Sequence, residues 1–228
     1  MENLKENQGT SPKETDILDA RLERRAFLQY AGAGAAVMAL VATGCKKDRS
    51  PNMSFGATLD FKDDIGVLNY AYALEQLEAA FYIQVATNPP SSFTTAQKNY
   101  FQDVQFHEIA HREFFKKVLG TSAIGSLDVD FSSINFSDGA SVLAAAKTFE
   151  DLGVAAYNGA GVRLKTDAYL VVAGQIVSVE ARHAAWVRDQ ISNGSFADLS
   201  SLTSLGANVS GGLDAALTPD KVLAAASK

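Results

Sequence analysis

Glu108-Ile109-Ala110-His111 is echoed further along the chain by Glu180-Ala181-Arg182-His183. An α-helix turns in 3.6 residues, so the Glu and His of each tetrad stand one turn apart on one face. Each tetrad runs in line with apolar residues at helical spacing: Val104 and Phe115 beside the first, Ala173, Ile176 and Val187 beside the second. The acid and the imidazole are thereby expected to point inward. Two more glutamates are placed the same way. Glu75, in Leu74-Glu75-Gln76-Leu77-Glu78, shares a stripe with Leu68, Tyr72, Ala79 and Tyr82. Glu150, in Phe149-Glu150-Asp151-Leu152, shares one with Leu143, Lys147, Val154 and Tyr157. In chain order the pattern reads Glu, Glu-x-x-His, Glu, Glu-x-x-His.

Glutamate is concentrated in these positions. After the leader it occurs only at 75, 78, 108, 113, 150 and 180, and two of the three histidines close a tetrad. Burying one unpaired carboxylate costs several kcal/mol, so four in one core demand compensation. Two divalent cations bring four positive charges against four negative ones, and the imidazoles complete the shells. Four carboxylates with two Glu-x-x-His motifs are the ligand set of a two-metal site inside a four-helix bundle. Oxygen and nitrogen donors of this kind suit iron or manganese. Such a centre handles electrons in pairs and meets dioxygen or peroxide. That points to a di-iron or di-manganese oxidoreductase, with a non-enzymatic, metal-stabilised protein as the alternative.

The periodicity predicts four long helices, over 63–87, 95–119, 139–159 and 167–191. Thr94 and Gln97 form a capping box for the second, and Gly120 stops it. Ser137 or Asp138 caps the third, with Gly159-Ala160-Gly161 as its tight end. Thr166 caps the fourth, and Asn193-Gly194 stops it. Lys147 must lie near the bundle's end or turn outward. Residues 121–137 have no helical period, and a compact domain seldom keeps so long an irregular segment without a geometric reason. They are expected to cross the bundle between helices 2 and 3. The fold class is thus all-α, a four-helix bundle with one long crossover. Thr218-Pro219-Asp220 opens a short last helix that ends near Ala225.

The chain has 228 residues, 47% hydrophobic, which suits one domain plus a leader. Its net charge of -6, with no basic stripe, argues against a nucleic-acid partner. The single cysteine, Cys45, excludes an intramolecular disulfide framework and any cysteine-based metal site. No apolar run reaches the ~18 residues of a membrane span. Arg24-Arg25-Ala26-Phe27-Leu28, followed by the small and apolar run to Gly44, resembles a twin-arginine export signal, with Glu23 where such signals carry Ser or Thr. Val41-Ala42-Thr43-Gly44-Cys45 resembles a lipoprotein cleavage box, with Ala42 in place of the usual Leu. The expected organisation is a signal segment over 1–45, a linker over 46–60, the bundle over 61–194 and a tail over 195–228. The chain is then exported to the cell envelope and tied to the membrane by a lipid on Cys45.

The order of motifs, the loop lengths and Leu74-Glu75-x-x-Glu78-Ala79-x-Phe81-Tyr82 resemble the ferritin-like superfamily, over about residues 60–194. Within it the chain is similar to exported ferritin-like proteins grouped with plant desiccation-related proteins. The resemblance implies that Glu75 and His111 hold one metal, Glu150 and His183 the other, and that Glu108 and Glu180 bridge both. It also favours Glu75 over Glu78 in the first helix, because Glu75 stands seven residues before the aromatic Tyr82. Glu78 is then a supporting polar group, or the ligand in place of Glu75. Tyr82 and Tyr157 lie two turns beyond a ligand glutamate; they are donors to a carboxylate or plain core aromatics. His107 is turned about 100° from Glu108 and reads as a packing or surface residue.

Overall fold

The computed structural model describes residues 59–226. The signal segment, Cys45 and most of the linker lie outside them. The described residues contain five α-helices and no strand: α1 (Asp64–Thr87), α2 (Thr95–Leu119), α3 (Gly139–Gly161), α4 (Asp167–Ile191) and α5 (Pro219–Ala226). Short 3-10 turns follow α2 at Gly120–Ser122 and α4 at Leu199–Leu205. This is the all-α bundle that the periodicity predicts, with residues 121–137 leading from α2 to α3.

Local chemistry sets the helix ends. The Asp63 side chain accepts from the Gly66 amide and opens α1. Thr94 and Gln97 close their capping box reciprocally. Asp138, rather than Ser137, caps α3 by accepting from Ala140. Thr166 stands at the start of α4, but its side chain makes no capping bond. Instead the Asp64 carboxylate takes the backbone amides of Lys165 (2.8 Å) and Thr166 (3.0 Å), fastening the α3–α4 turn to the first turn of α1. α3 also runs two residues past Gly159, so Gly159 is not its end.

α1 is buried on nearly every side, because two irregular segments complete what the helices leave open. Asn69 donates to the Ser122 carbonyl and accepts from the Ile124 amide, at 2.9 and 2.8 Å. Two turns on, Gln76 accepts from the Leu127 amide at 2.9 Å and donates to the Gly125 carbonyl. Two primary amides on one helix thus satisfy a stretch of crossover backbone that has no ladder of its own. Phe131 and Phe136 then lay their rings against Phe81. The tail docks on α3: the Leu217 amide donates to the Ala155 carbonyl, and Asn158 donates to the Ala215 carbonyl. A Cβ on Gly159 would stand 1.8 Å from the Leu217 carbonyl oxygen, so close approach is what this position requires. Val222 of α5 is fully buried with Tyr70, Leu74 and Ala156.

Apolar clusters stack along the bundle. One gathers Phe81, Tyr82, Phe101 and Val142; another, Leu68, Tyr72, Phe115 and Ile176. The acidic layer lies between them.

Candidate metal centre

Glu75, Glu108, Glu150 and Glu180 come from four different helices, and each is at most 1% exposed. His111 and His183 turn their Nδ1 atoms toward them. His111 Nδ1 lies 2.9 Å from Glu180 Oε1, 3.5 Å from Glu75 Oε2 and 3.6 Å from Glu108 Oε2. His183 Nδ1 lies 3.1 Å from Glu108 Oε1, 3.5 Å from Glu150 Oε2 and 3.5 Å from Glu180 Oε2. Glu108 and Glu180 therefore offer one oxygen to each imidazole, while Glu75 and Glu150 each serve one. Two groups result, Glu75–Glu108–His111–Glu180 and Glu108–Glu150–Glu180–His183, and within each the ligand atoms lie within 4.8 Å of one another.

Two tyrosines hold the outer oxygens. Tyr82 of α1 donates to Glu150 Oε1 on α3, and Tyr157 of α3 donates to Glu75 Oε1 on α1. Each helix thus carries a Glu and, seven residues on, the Tyr that supports the opposite helix's Glu. Burial, then the facing carboxylates, push both phenols well up, which keeps them protonated donors.

Eight side-chain atoms in this layer are buried, make no well-aligned hydrogen bond and meet only one another, in the His–Glu contacts of 2.9–3.6 Å: Oε2 of Glu75 and Glu150, both oxygens of Glu108 and Glu180, and both Nδ1 atoms. They are the atoms the tyrosines leave free, and all of them face inward. Buried polar atoms without partners are rare in folded proteins. Eight together, all hard oxygen or imidazole nitrogen donors, fit a pair of cations. The electrostatics tell the same story without metal. Burial raises Glu75 and Glu150 to about 8 against the pull of their imidazoles. Burial would also raise Glu180, but His111 and His183 overcome it and hold the group at about 2. Burial would lower both imidazoles; the carboxylates around them win instead, driving His183 to about 12 and His111 well up.

Glu78 is buried but belongs to neither group. Its Oε1 would be 2.9 Å from a Cβ on Gly153, so it lies against the bare backbone of α3. Burial, then the charges of Glu180, Glu108 and Glu150, raise it well above the usual carboxyl range and keep it neutral. Lys147 is half-buried and pairs with the buried Asp151 at 2.9 Å, which accommodates its charge in the α3 stripe. Sequence reasoning did not single out Asp151, which is buried beside Glu150 and takes a charge-assisted bond from Arg188 of α4. Arg188 also reaches the Phe196 carbonyl, tying α3, α4 and the tail together at the level of the site. His107, expected to be a bystander, bonds His183 through Nδ1···Nε2 at 2.9 Å. A cleft of about 390 Å³ between α2 and α4 opens on both imidazoles, with Val104, Ala110, Val179 and Trp186 in its walls.

A helical bundle with a long crossover, holding two Glu-x-x-His motifs and two further glutamates in one buried layer, defines a class of carboxylate–histidine bundles able to hold metal. The profile of the ferritin-like domain matches residues 63–193, and the chain belongs to that family. No curated protein sequence matches it.

Proposed function

We propose that the chain holds two iron or manganese ions, one between Glu75 and His111 and one between Glu150 and His183, with Glu108 and Glu180 bridging, and acts as an oxidoreductase that oxidises Fe(II) or removes peroxide. The observation that carries this reading is the set of eight inward-facing buried atoms without well-aligned hydrogen bonds. When bound, such a metal pair supplies two-electron redox chemistry toward dioxygen or peroxide. The protein supplies the rest. Tyr82 and Tyr157 fix the orientation of the terminal carboxylates. Apolar clusters lie on either side of the layer along the bundle, and the cleft between α2 and α4 opens on both imidazoles.

The test is metal analysis of the purified protein together with Fe(II)-oxidation and peroxide assays. About two ions per chain and turnover support the proposal. Glu108→Ala and Glu180→Ala each weaken both positions, since each carboxylate serves both imidazoles. Four variants of the terminal and bridging glutamates that all keep full metal content would remove the site. A second reading is a non-enzymatic envelope protein, of the stress or desiccation kind, in which the metal is a cross-link. It draws on the burial of four carboxylates, which makes any bound cation a source of folding energy. Metal without turnover favours it.

The setting of the protein is proposed from sequence alone. Arg24-Arg25 and Cys45 support export through a twin-arginine signal and a lipid tether to the outer face of the membrane. Replacing both arginines by lysine should block export, and Cys45→Ser should release the protein from the membrane fraction. Unchanged export and fractionation overturn this setting and leave the metal site untouched.

A further inference from the structure

His183 is held from outside in a way that His111 is not. Its Nδ1 faces Glu108, Glu150 and Glu180, and its Nε2 meets Nδ1 of His107 at 2.9 Å. The two rings are nearly coplanar, 10° apart with centroids 5.1 Å distant, so they meet edge to edge along the N···N line. Tyr100, also on α2, donates to the His183 carbonyl at 3.2 Å and stacks on Trp186 at 3.7 Å. Among the described residues no protein group bonds the other ring nitrogen of His111.

The geometry points to His107 as a positioning residue that makes the two metal positions unequal, bracing the Glu150/His183 position and leaving the Glu75/His111 position unbraced. The inference rests on the two-metal reading above. A neutral imidazole that gives one nitrogen's lone pair to a cation carries its proton on the other nitrogen. For His183, Nδ1 faces the carboxylates, so Nε2 carries the proton and donates it to His107 Nδ1. His107, whose Nδ1 accepts this bond, carries its own proton on Nε2. This bond fixes the ring plane of His183 and raises its basicity as a ligand, which is what an outer hydrogen-bond partner does for a metal-bound histidine. On α2, His107 and His111 are one turn apart and both line the cleft. One helix therefore provides a ligand for the first position and the support for the second.

The experiment titrates the metal-free full chain with Mn(II) under anaerobic conditions and reads both binding steps by calorimetry. The wild-type chain should take up two ions. His107→Ala should weaken one step by 10- to 100-fold and leave the other unchanged. His107→Asn should restore it, because its side-chain oxygen can accept the hydrogen bond of the His183 Nε2–H from close to the position of Nδ1. In a Glu150→Ala chain, where only the Glu75/His111 position remains complete, His107→Ala should change nothing. His107 belongs to no apolar cluster and lines an open cleft, so its loss leaves no core cavity, and the thermal midpoint of the metal-free variants should match the wild type. Two bound ions with both steps unchanged in His107→Ala, both weakened alike, or no recovery in His107→Asn overturn the assignment. A wild-type chain that binds no Mn(II) overturns the metal reading itself.

Discussion

Tyr82 and Tyr157 each hold a buried carboxylate of the facing helix. Each phenol occupies one oxygen of a terminal carboxylate and leaves the other to face inward. Removing the hydroxyl frees that oxygen in a buried place and lets the carboxylate rotate. Tyr82→Phe should therefore loosen the position of Glu150, and Tyr157→Phe that of Glu75, each by about 10- to 100-fold in Mn(II) affinity. Each variant should also lose roughly 1–3 kcal/mol of stability as a buried carboxyl oxygen is left without its donor. Glu75→Ala should empty one position, whereas Glu78→Ala should leave two ions bound, because Glu78 stands outside both ligand groups. If Glu78→Ala empties a position and Glu75→Ala does not, the ligand in α1 is misassigned. The convergence of the four glutamates, the two histidines and the two tyrosines in one layer was legible in sequence because 3.6-residue spacing puts each helix's share on one face. His107 was not. Its offset from Glu108 pointed it away from the layer, and only the packing of α2 beside α4 brings His183 to meet it. The available signal was its spacing of four from His111.

At the scale of elements, legibility follows the distance between partners. Helix ends could be read because a cap bonds within three residues, as in Thr94 with Gln97 or Asp138 with Ala140. The course of the crossover could not, because its partners Asn69 and Gln76 lie some fifty residues earlier and look like ordinary helix-surface amides. The tail was hidden for the same reason. Its docking on α3 depends on Gly159, which sequence read as a helix terminator and the structure uses for close approach. Gly159→Ala should push the Leu217 backbone away, since its Cβ would stand 1.8 Å from the Leu217 carbonyl oxygen. The Leu217–Ala155 and Asn158–Ala215 bonds would break with it, and Val222 would leave its cluster. The expected result is faster hydrogen exchange over residues 213–226 and a lower thermal midpoint, with the metal content unchanged. Unchanged exchange in the tail would show that this contact does not hold it.

For the molecule as a whole, the buried layer ties stability to pH and metal together. In the metal-free protein Glu75 and Glu150 sit at about 8 in the fold against 4.5 in the unfolded chain. Above pH 8 the fold bears two buried charges it disfavours, and that penalty is relieved as the pH falls from 8 toward 4.5. His111 and His183 act in the same direction. Both are raised above 6.5, so their contribution is complete below pH 6.5 and is lost as the pH rises, through about 12 for His183. Glu180 acts oppositely. Held at about 2 against 4.5, it stabilises above pH 4.5 and loses that contribution as the pH falls toward 2. The metal-free protein should thus be most stable near pH 5, with its thermal midpoint falling on either side. In a metal-loaded protein cations would replace these protons, and binding would add about 4 kcal/mol per site at 1,000-fold excess over the dissociation constant. Protons compete for the same atoms, so the advantage of the loaded form should be largest near pH 8 and shrink toward pH 5. Thermal melts of both forms from pH 4 to 9 measure this. A metal-free midpoint that climbs steadily up to pH 9 would mean that the carboxylates carry no such penalty, and the charge balance assigned to the layer would be wrong.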